Sequence, residues 1–343
     1  MIYKLVYFYR HPQSTYFSIE KLFQKIATKI AATYSSEFEV EEQYMPYPSK
    51  LKTVYPNIAF TKEHQSYINH ITGDVHYAIF GCSPKNINVL TIHDCVTLHR
   101  YSRINPRFWI IKFVWFNWPV KKADIVTVIS ENTKKDLIHF TKCDPEKIRI
   151  ISNFVDPAFE YSDFVFNESC PRILFIGTTP NKNLDRLIEA MEGVPSLLDI
   201  VGPLTAGQRA KLQAHGIQYN QSERLSQEAL QAKYHASDLV AFPSTYEGFG
   251  LPIVEAQVVG RPLLTSDLSP MREVAGDGAC LVDCFDSASI RKGLLRIIQD
   301  AGYRESIVCK GIENVKRFSI ESVAEQYVEL YRELLKKRES LKF

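Results

Sequence analysis

Apolar and polar positions along the chain alternate between two periods. Short β-branched or aromatic runs, with no room for a helical stripe, occur at Ile2–Tyr9, Asn88–His93, Ile125–Ile129 and Ile148–Ile151. Each reads as a buried strand. Between them lie longer segments with apolar residues three and four apart. In Ser18–Tyr34 these are Ile19, Leu22, Phe23, Ile26 and Ile30, which is the spacing of an amphipathic helix. After Ile129, Ser130 or Asn132 is placed to cap another helix. The alternation lapses over 152–171, a polar stretch with two prolines, and then restarts. Strands are predicted at Arg172–Ile176, Leu198–Val201, Leu239–Phe242 and Pro262–Thr265. Helices are predicted at Asn183–Met191, Leu251–Val259, Ser287–Asp300 and Ile320–Lys337. Repeated strand–helix units imply parallel sheets with helices on both faces. The expected fold is α/β, with two Rossmann-like doubly wound domains facing across a cleft. The N-terminal one covers 1–160 and the C-terminal one 161–319, with a last helix in 320–343 able to pack back on the first.

The 343 residues suffice for two cores, and 45% hydrophobic with 23% charged residues is ordinary for a globular protein. A net charge of +2 gives no reason to expect a nucleic-acid partner. Residues 1–160 carry 20 Lys+Arg against 15 Asp+Glu and the remainder 21 against 24, so the first half is slightly basic. Seven scattered cysteines without a Cys-x-x-Cys read as free thiols of a reducing compartment, which points to the cytoplasm. No run reaches the roughly 18 apolar residues of a membrane helix, and MIYKLVYFYRHPQ reads as a first strand rather than a signal peptide. The stretch Phe108–Trp118 holds all three tryptophans beside Lys112, Lys121 and Lys122. It reads either as a helix packed on the sheet or as a peripheral contact with the inner face of a membrane.

The candidate chemistry centres on Pro243–Glu255, PSTYEGFGLPIVE, between a strand and a helix. Gly248 and Gly250 allow a sharp turn and close approach to a ligand, and Pro252 suits the first helical turn. The helix start offers unpaired N–H groups and a positive dipole end to a diphosphate. Glu255, one turn in, is placed to accept two vicinal ribose hydroxyls. Glu247, nearer the glycines, is placed to accept hydroxyls of a second sugar. A helix start that merely favours acidic residues is the plainer explanation for either glutamate alone. At the end of an earlier strand, FIGTTPNKN places Lys182 where a cation could meet the same phosphates.

The Glu-Gly-Phe-Gly-Leu-Pro-x-x-Glu string closely resembles the Glu-x7-Glu signature of the retaining glycosyltransferases of family 4, which have the GT-B fold. Ala256, Gly260, Arg261 and Pro262, and Glu273-Val274-Ala275-Gly276, continue the likeness. The resemblance implies a metal-independent hexosyl transfer from a UDP- or GDP-sugar to a glycan or lipid-linked acceptor. It implies a cell-surface polysaccharide pathway, retention of configuration and no cofactor. Donor contacts would come from Gly177, Thr178, Lys182, Asn183, Glu247, Gly248, Phe249, Gly250, Leu251 and Glu255. Many members carry Arg where this chain has Thr178, so Lys182 acts with the helix start alone or with Arg224 or Arg261. His93, at the end of a strand in TIHD, resembles a family histidine that contacts the donor sugar; a structural histidine bonded to Asp94 is the alternative. The catalytic set is therefore His93, Glu247 and Lys182. His11, Ser14, Tyr16, His76 and Asp94 are assigned to the acceptor side, with a structural role as the alternative for His76.

Other functions remain open on sequence: an epimerase or hydrolase of sugar nucleotides on the same fold, a glycoside hydrolase using the two glutamates, or a non-catalytic nucleotide-sugar module. A nicotinamide oxidoreductase is disfavoured, because RHPQST stands where a Gly-x-Gly-x-x-Gly turn belongs. The chain also holds no Asp-x-Asp of the kind that holds a metal in the other common transferase fold.

Overall fold

The computed structural model describes residues 2–12 and 18–340. It divides into two units: Met1–Phe154 with Ile320–Phe343, and Val155–Ser319.

In the first unit six parallel strands form one sheet. They are β1 (Tyr3–Tyr9), β2 (Phe38–Tyr44), β3 (Ile68–Ile71), β4 (Ile87–Ile92), β5 (Ile125–Val128) and β6 (Ile148–Ile150), in the order β2-β1-β3-β4-β5-β6. The central strands are buried along almost their whole length, as a parallel sheet covered on both faces requires. The helix Ser18–Thr33 covers one face together with Ile320–Ser340, whose Val323, Tyr327, Val328 and Tyr331 lie in the same apolar cluster as Phe23, Ile26 and Ile30. Two polar residues of β3 are held inside this core. Asn69 donates to Asn88 Oδ1 at 3.0 Å, and His70 lies 2.7 Å from both the Tyr331 and Thr91 hydroxyls.

On the other face the tryptophan segment is not one regular helix. It runs as Pro106–Ile111, a π-helical stretch Lys112–Asn117 and Trp118–Lys122. Phe108 and Phe116 enter the core, whereas Trp109, Ile110, Phe113 and Trp118 are exposed. Among the described residues no helix is long and apolar enough to cross a membrane.

The second unit carries β7 (Arg172–Ile176), β8 (Leu197–Val201), β9 (Tyr219–Ser222), β10 (Leu239–Phe242), β11 (Leu263–Ser266) and β12 (Cys280–Val282). All are parallel, in the order β12-β11-β10-β7-β8-β9. The chain thus builds outward from β7 through β9, returns, and builds outward the other way from β10. Neighbouring β7 and β10 form the topological switch point, outside whose carboxyl ends such sheets bind ligands. Both sequence motifs of this unit follow those two strands.

Candidate functional site

After β7 the backbone turns through Gly177 at φ +87°, makes a short 3-10 turn Pro180–Lys182, and enters the helix Leu184–Met191 through Asn183 in the left-handed region. Gly177 is required by its neighbour: a Cβ there would stand 2.9 Å from Lys182 Cε. The lysine stem therefore folds across the glycine and sets its ammonium 4.7 Å from the centre of the Phe242 ring, a favourable cation–π placement. Lys182 Nζ also lies 2.7 Å from Glu247 Oε1, in an ion pair whose side chains are only 19% and 14% exposed. Asn181 locks the pair's second half. Its amide donates to Glu247 Oε1 at 3.3 Å and to the Tyr246 carbonyl at 3.0 Å, and its own carbonyl accepts from Thr245 N–H at 2.8 Å.

The loop after β10 enters the helix Leu251–Val259 through Gly250 at φ +104°, a conformation that favours glycine. Ile253 N–H bonds back to the Gly250 carbonyl at 3.0 Å, and Pro252 has no N–H, so the Leu251 N–H heads the helix without an intrahelical acceptor. Phe249 is buried and packs edge-on against Phe318, so it offers a ligand backbone rather than ring. Glu255 accepts a 2.5 Å hydrogen bond from the Tyr234 hydroxyl. Burial pushes its carboxyl up to about 7; the Tyr234 bond opposes the rise, Asp156 adds to it and Lys182 opposes it. Lys182 therefore interacts with both glutamates of the motif.

The remaining predicted donor residues divide. Thr178 is buried, with its hydroxyl bonded to the Pro203 carbonyl at 2.5 Å and its carbonyl accepting from Gln208. Asn183 spends its amide on the Pro243 and Cys284 carbonyls at 3.0 and 2.7 Å and accepts from Arg186, tying together the loops after β7, β10 and β12. It positions the site and presents no free side-chain donor. Arg261 is not the substitute phosphate cation. It is 2% exposed, lies over Phe164 and donates to Ser162, His235, Ser237 and Val259. Arg224, exposed after β9, keeps that role open.

In the first unit His93 follows β4 directly. It is not bonded to Asp94, whose carboxylate accepts instead from Val96 N–H at 2.9 Å. The imidazole stands edge-on to Phe23, and its Nε2 is buried without a partner among the described residues. Burial, then His76 and Arg10, pulls its pKa down to about 3, so it is neutral near pH 7. His76 donates from Nδ1 to the Trp115 carbonyl at 2.7 Å, inside the core; that favours the structural alternative for it. His11 lies 3.2 Å from the Met45 carbonyl at the end of β1. Ser14 and Tyr16 lie outside the described residues. Sequence reasoning missed Asn181 and Tyr234, the two residues that orient the glutamates. Tyr234 carried no signal beyond being an aromatic late in a helix, whereas Asn181 sits within the quoted PNKN.

Comparison with known proteins follows the same division of the chain. Residues 160–314 match the model for glycosyl transferases group 1, and residues 70–159 the model for glycosyltransferase family 4. The O-antigen chain mannosyltransferase B of Escherichia coli is 32% identical over 171 residues, covering 46% of this chain and 45% of that one. The phosphatidyl-myo-inositol mannosyltransferase of Mycobacterium leprae is 30% identical over 170 residues, 46% of each. The chain spans less than half the length of either. Among solved structures, the Anabaena protein HepE in complex with UDP and glucose superposes with a TM-score of 0.73 at 17% identity, over 96% of this chain and 100% of that one. Sucrose-phosphate synthase of Thermosynechococcus elongatus gives 0.74 at 18%, over 97% and 100%. These structural likenesses establish the GT-B fold, and the two adjoining models, which together match residues 70–314, show that the chain belongs to glycosyltransferase family 4.

Proposed function

We propose that this chain transfers a hexosyl unit from a UDP- or GDP-sugar to a glycan or lipid-linked acceptor, with retention of configuration and without a metal or other cofactor. The observation that carries this reading is the ammonium of Lys182, held 2.7 Å from Glu247 outside the switch point between β7 and β10, beside the start of the helix Leu251–Val259. A sugar nucleotide has a built-in leaving group, so the protein's task is to stabilise charge growing on the diphosphate as the bond to the sugar breaks. In this reading Lys182 and the Leu251 N–H meet that charge. Preorganised donors contribute on the order of 3–4 kcal/mol each at comparable oxyanion sites. Once phosphate takes the ammonium, Glu247 is released to accept sugar hydroxyls, while Glu255 accepts those of the ribose. In the retaining reading the leaving phosphate takes the proton of the attacking hydroxyl on the same face. The mannosyltransferase relatives and the slightly basic first half support a role in cell-surface polysaccharide synthesis at the inner face of the cell membrane.

The test is a panel of UDP- and GDP-sugars read first by thermal shift and then by donor consumption with and without acceptor. One nucleotide should stabilise the protein by mass action, and consumption should require acceptor. Consumption at the same rate without acceptor would make the chain a hydrolase. Chelators should leave the rate unchanged; loss of activity restored by a divalent cation would overturn the metal-free reading. Glu247→Ala should lower kcat at least a hundredfold with donor affinity nearly kept, and Glu255→Ala should mainly weaken donor binding.

A further inference from the structure

Tyr234 reaches Glu255 from the protein interior. It stands in the last turn of the helix Gln227–Ala236 and is fully buried, its ring edge-on to Phe159 with 5.4 Å between centres. Glu255 is only half-buried. The 2.5 Å hydrogen bond from the Tyr234 hydroxyl to Glu255 Oε2 therefore tethers the carboxylate from its inner side. Oε1 has no hydrogen-bond partner among the described residues and is left for a ligand. The tyrosine is itself braced. The Ser237 hydroxyl donates to the Tyr234 carbonyl at 2.8 Å, and Arg261 donates to the carbonyls of His235 and Ser237 at 3.0 and 2.9 Å. The buried guanidinium that does not serve the phosphates thus fixes the end of the helix that carries Tyr234.

A hydrogen bond given to a carboxylate favours its charged form. Tyr234 and Lys182 favour the charged form of Glu255, whereas burial and Asp156, from the chain entering the second unit, oppose it. Burial, then the neighbouring charge of Glu255, holds the Tyr234 phenol well above its usual 10.0, so it remains a donor near neutral pH.

We propose that Tyr234 is a positioning residue for nucleotide recognition: its hydroxyl holds Oε2 of Glu255 so that Oε1 meets the ribose, and so sets the preference for ribose over deoxyribose. This rests on the transferase reading above, since the ribose is that of the donor. The preference should also depend on pH, because only the ionised carboxylate accepts both hydroxyls.

The test is calorimetric titration with UDP and GDP, comparing whichever binds with its 2′-deoxy analogue from pH 6 to pH 9. The ratio of the two affinities cancels the titration of the terminal phosphate, which both probes share. In the wild type the ratio should reach about tenfold or more at pH 8. Tyr234→Phe keeps the ring against Phe159 and removes only the hydroxyl. Its ratio at pH 8 should fall to about threefold or less, and the pH at which the preference develops should rise by about one unit. The double variant Tyr234→Phe with Glu255→Gln leaves no buried charge untethered, and so answers even if the single variant does not fold. Its ratio should equal that of Glu255→Gln alone. A ratio and pH profile kept in Tyr234→Phe, even with both nucleotides weakened equally, would show a merely structural tyrosine and overturn the proposal. So would a wild type without ribose preference, or a double variant whose ratio lies below that of Glu255→Gln. Failure of the transferase reading looks different: the wild type then binds neither UDP nor GDP.

Discussion

A single carboxyl illustrates how the site is held in tension. Glu255 is raised from 4.5 to about 7 chiefly by burial. Its charged form is favoured in the unfolded chain above pH 4.5 but in the folded chain only above about 7. The folded state therefore loses stability as pH rises through that window, by roughly 1.4 kcal/mol for each tenfold fall in proton concentration and on the order of 3 kcal/mol in all. Glu255→Gln should consequently raise the melting temperature at pH 8 and change it little at pH 5; equal changes at both would show that ionisation is not the cause. If ribose hydroxyls are accepted by the carboxylate, donor affinity in the wild type should strengthen from pH 6 to 8. Calorimetry of the same Gln variant should lose that slope. A sugar nucleotide's diphosphate, esterified at both ends, has no proton to confuse this reading. A second residue-scale lever is Gly177: Gly177→Ala forces a Cβ against the lysine stem and a side chain into φ +87°. The ammonium should move and turnover should fall about tenfold or more, with the melting temperature down by a few degrees at most.

At the scale of elements, the loops after β7 and β10 were legible because their glycines, lysine and glutamates lie within short strings bounded by apolar strands. The strands at the sheet margins were not. β2 (FEVEEQY) and β9 (YNQS) are edge strands, half exposed, with too few apolar residues to register as buried runs. β12 is an edge strand of three residues. β3 is central, yet two of its four residues, Asn69 and His70, are polar and become tolerable inside only through partners supplied by Asn88, Thr91 and Tyr331. Partners distant in sequence likewise decided Arg261. The family-like position pointed to a phosphate cation, but its guanidinium is saturated by the carbonyls of Ser162, His235, Ser237 and Val259. Gly250→Ala probes the element that survived. Its φ of +104° should cost roughly 1–2 kcal/mol in a residue with a Cβ. Donor affinity should fall through displacement of the helix start, measured by the same nucleotide titration.

At the scale of the molecule, the buried histidines of the first unit predict that the two units respond to acid differently. His70, His76 and His93, all in the first unit, are buried with pKa values pulled from 6.5 down to about 3, 4 and 3, mainly by desolvation. A base depressed in the folded state stabilises the fold above 6.5 and forfeits that stability as pH falls from there toward 4 and 3. All three tryptophans, Trp109, Trp115 and Trp118, also belong to that unit. Acid titration should therefore alter tryptophan fluorescence while nucleotide-sensitive stability of the second unit persists to lower pH; a coincident loss of both would contradict this separation. In the first half the sheet with helices on both faces was readable from periodicity, and the last helix, read from its own spacing, lies in that unit's apolar cluster.

That last helix has a consequence for how the protein is made. The first unit's core includes Tyr327, Val328 and Tyr331, from beyond the second unit, whereas the second unit is one continuous stretch, Val155–Ser319. During translation the earlier-made half must leave the ribosome with an open apolar flank and wait for the helix Ile320–Ser340, so the half begun first is completed last.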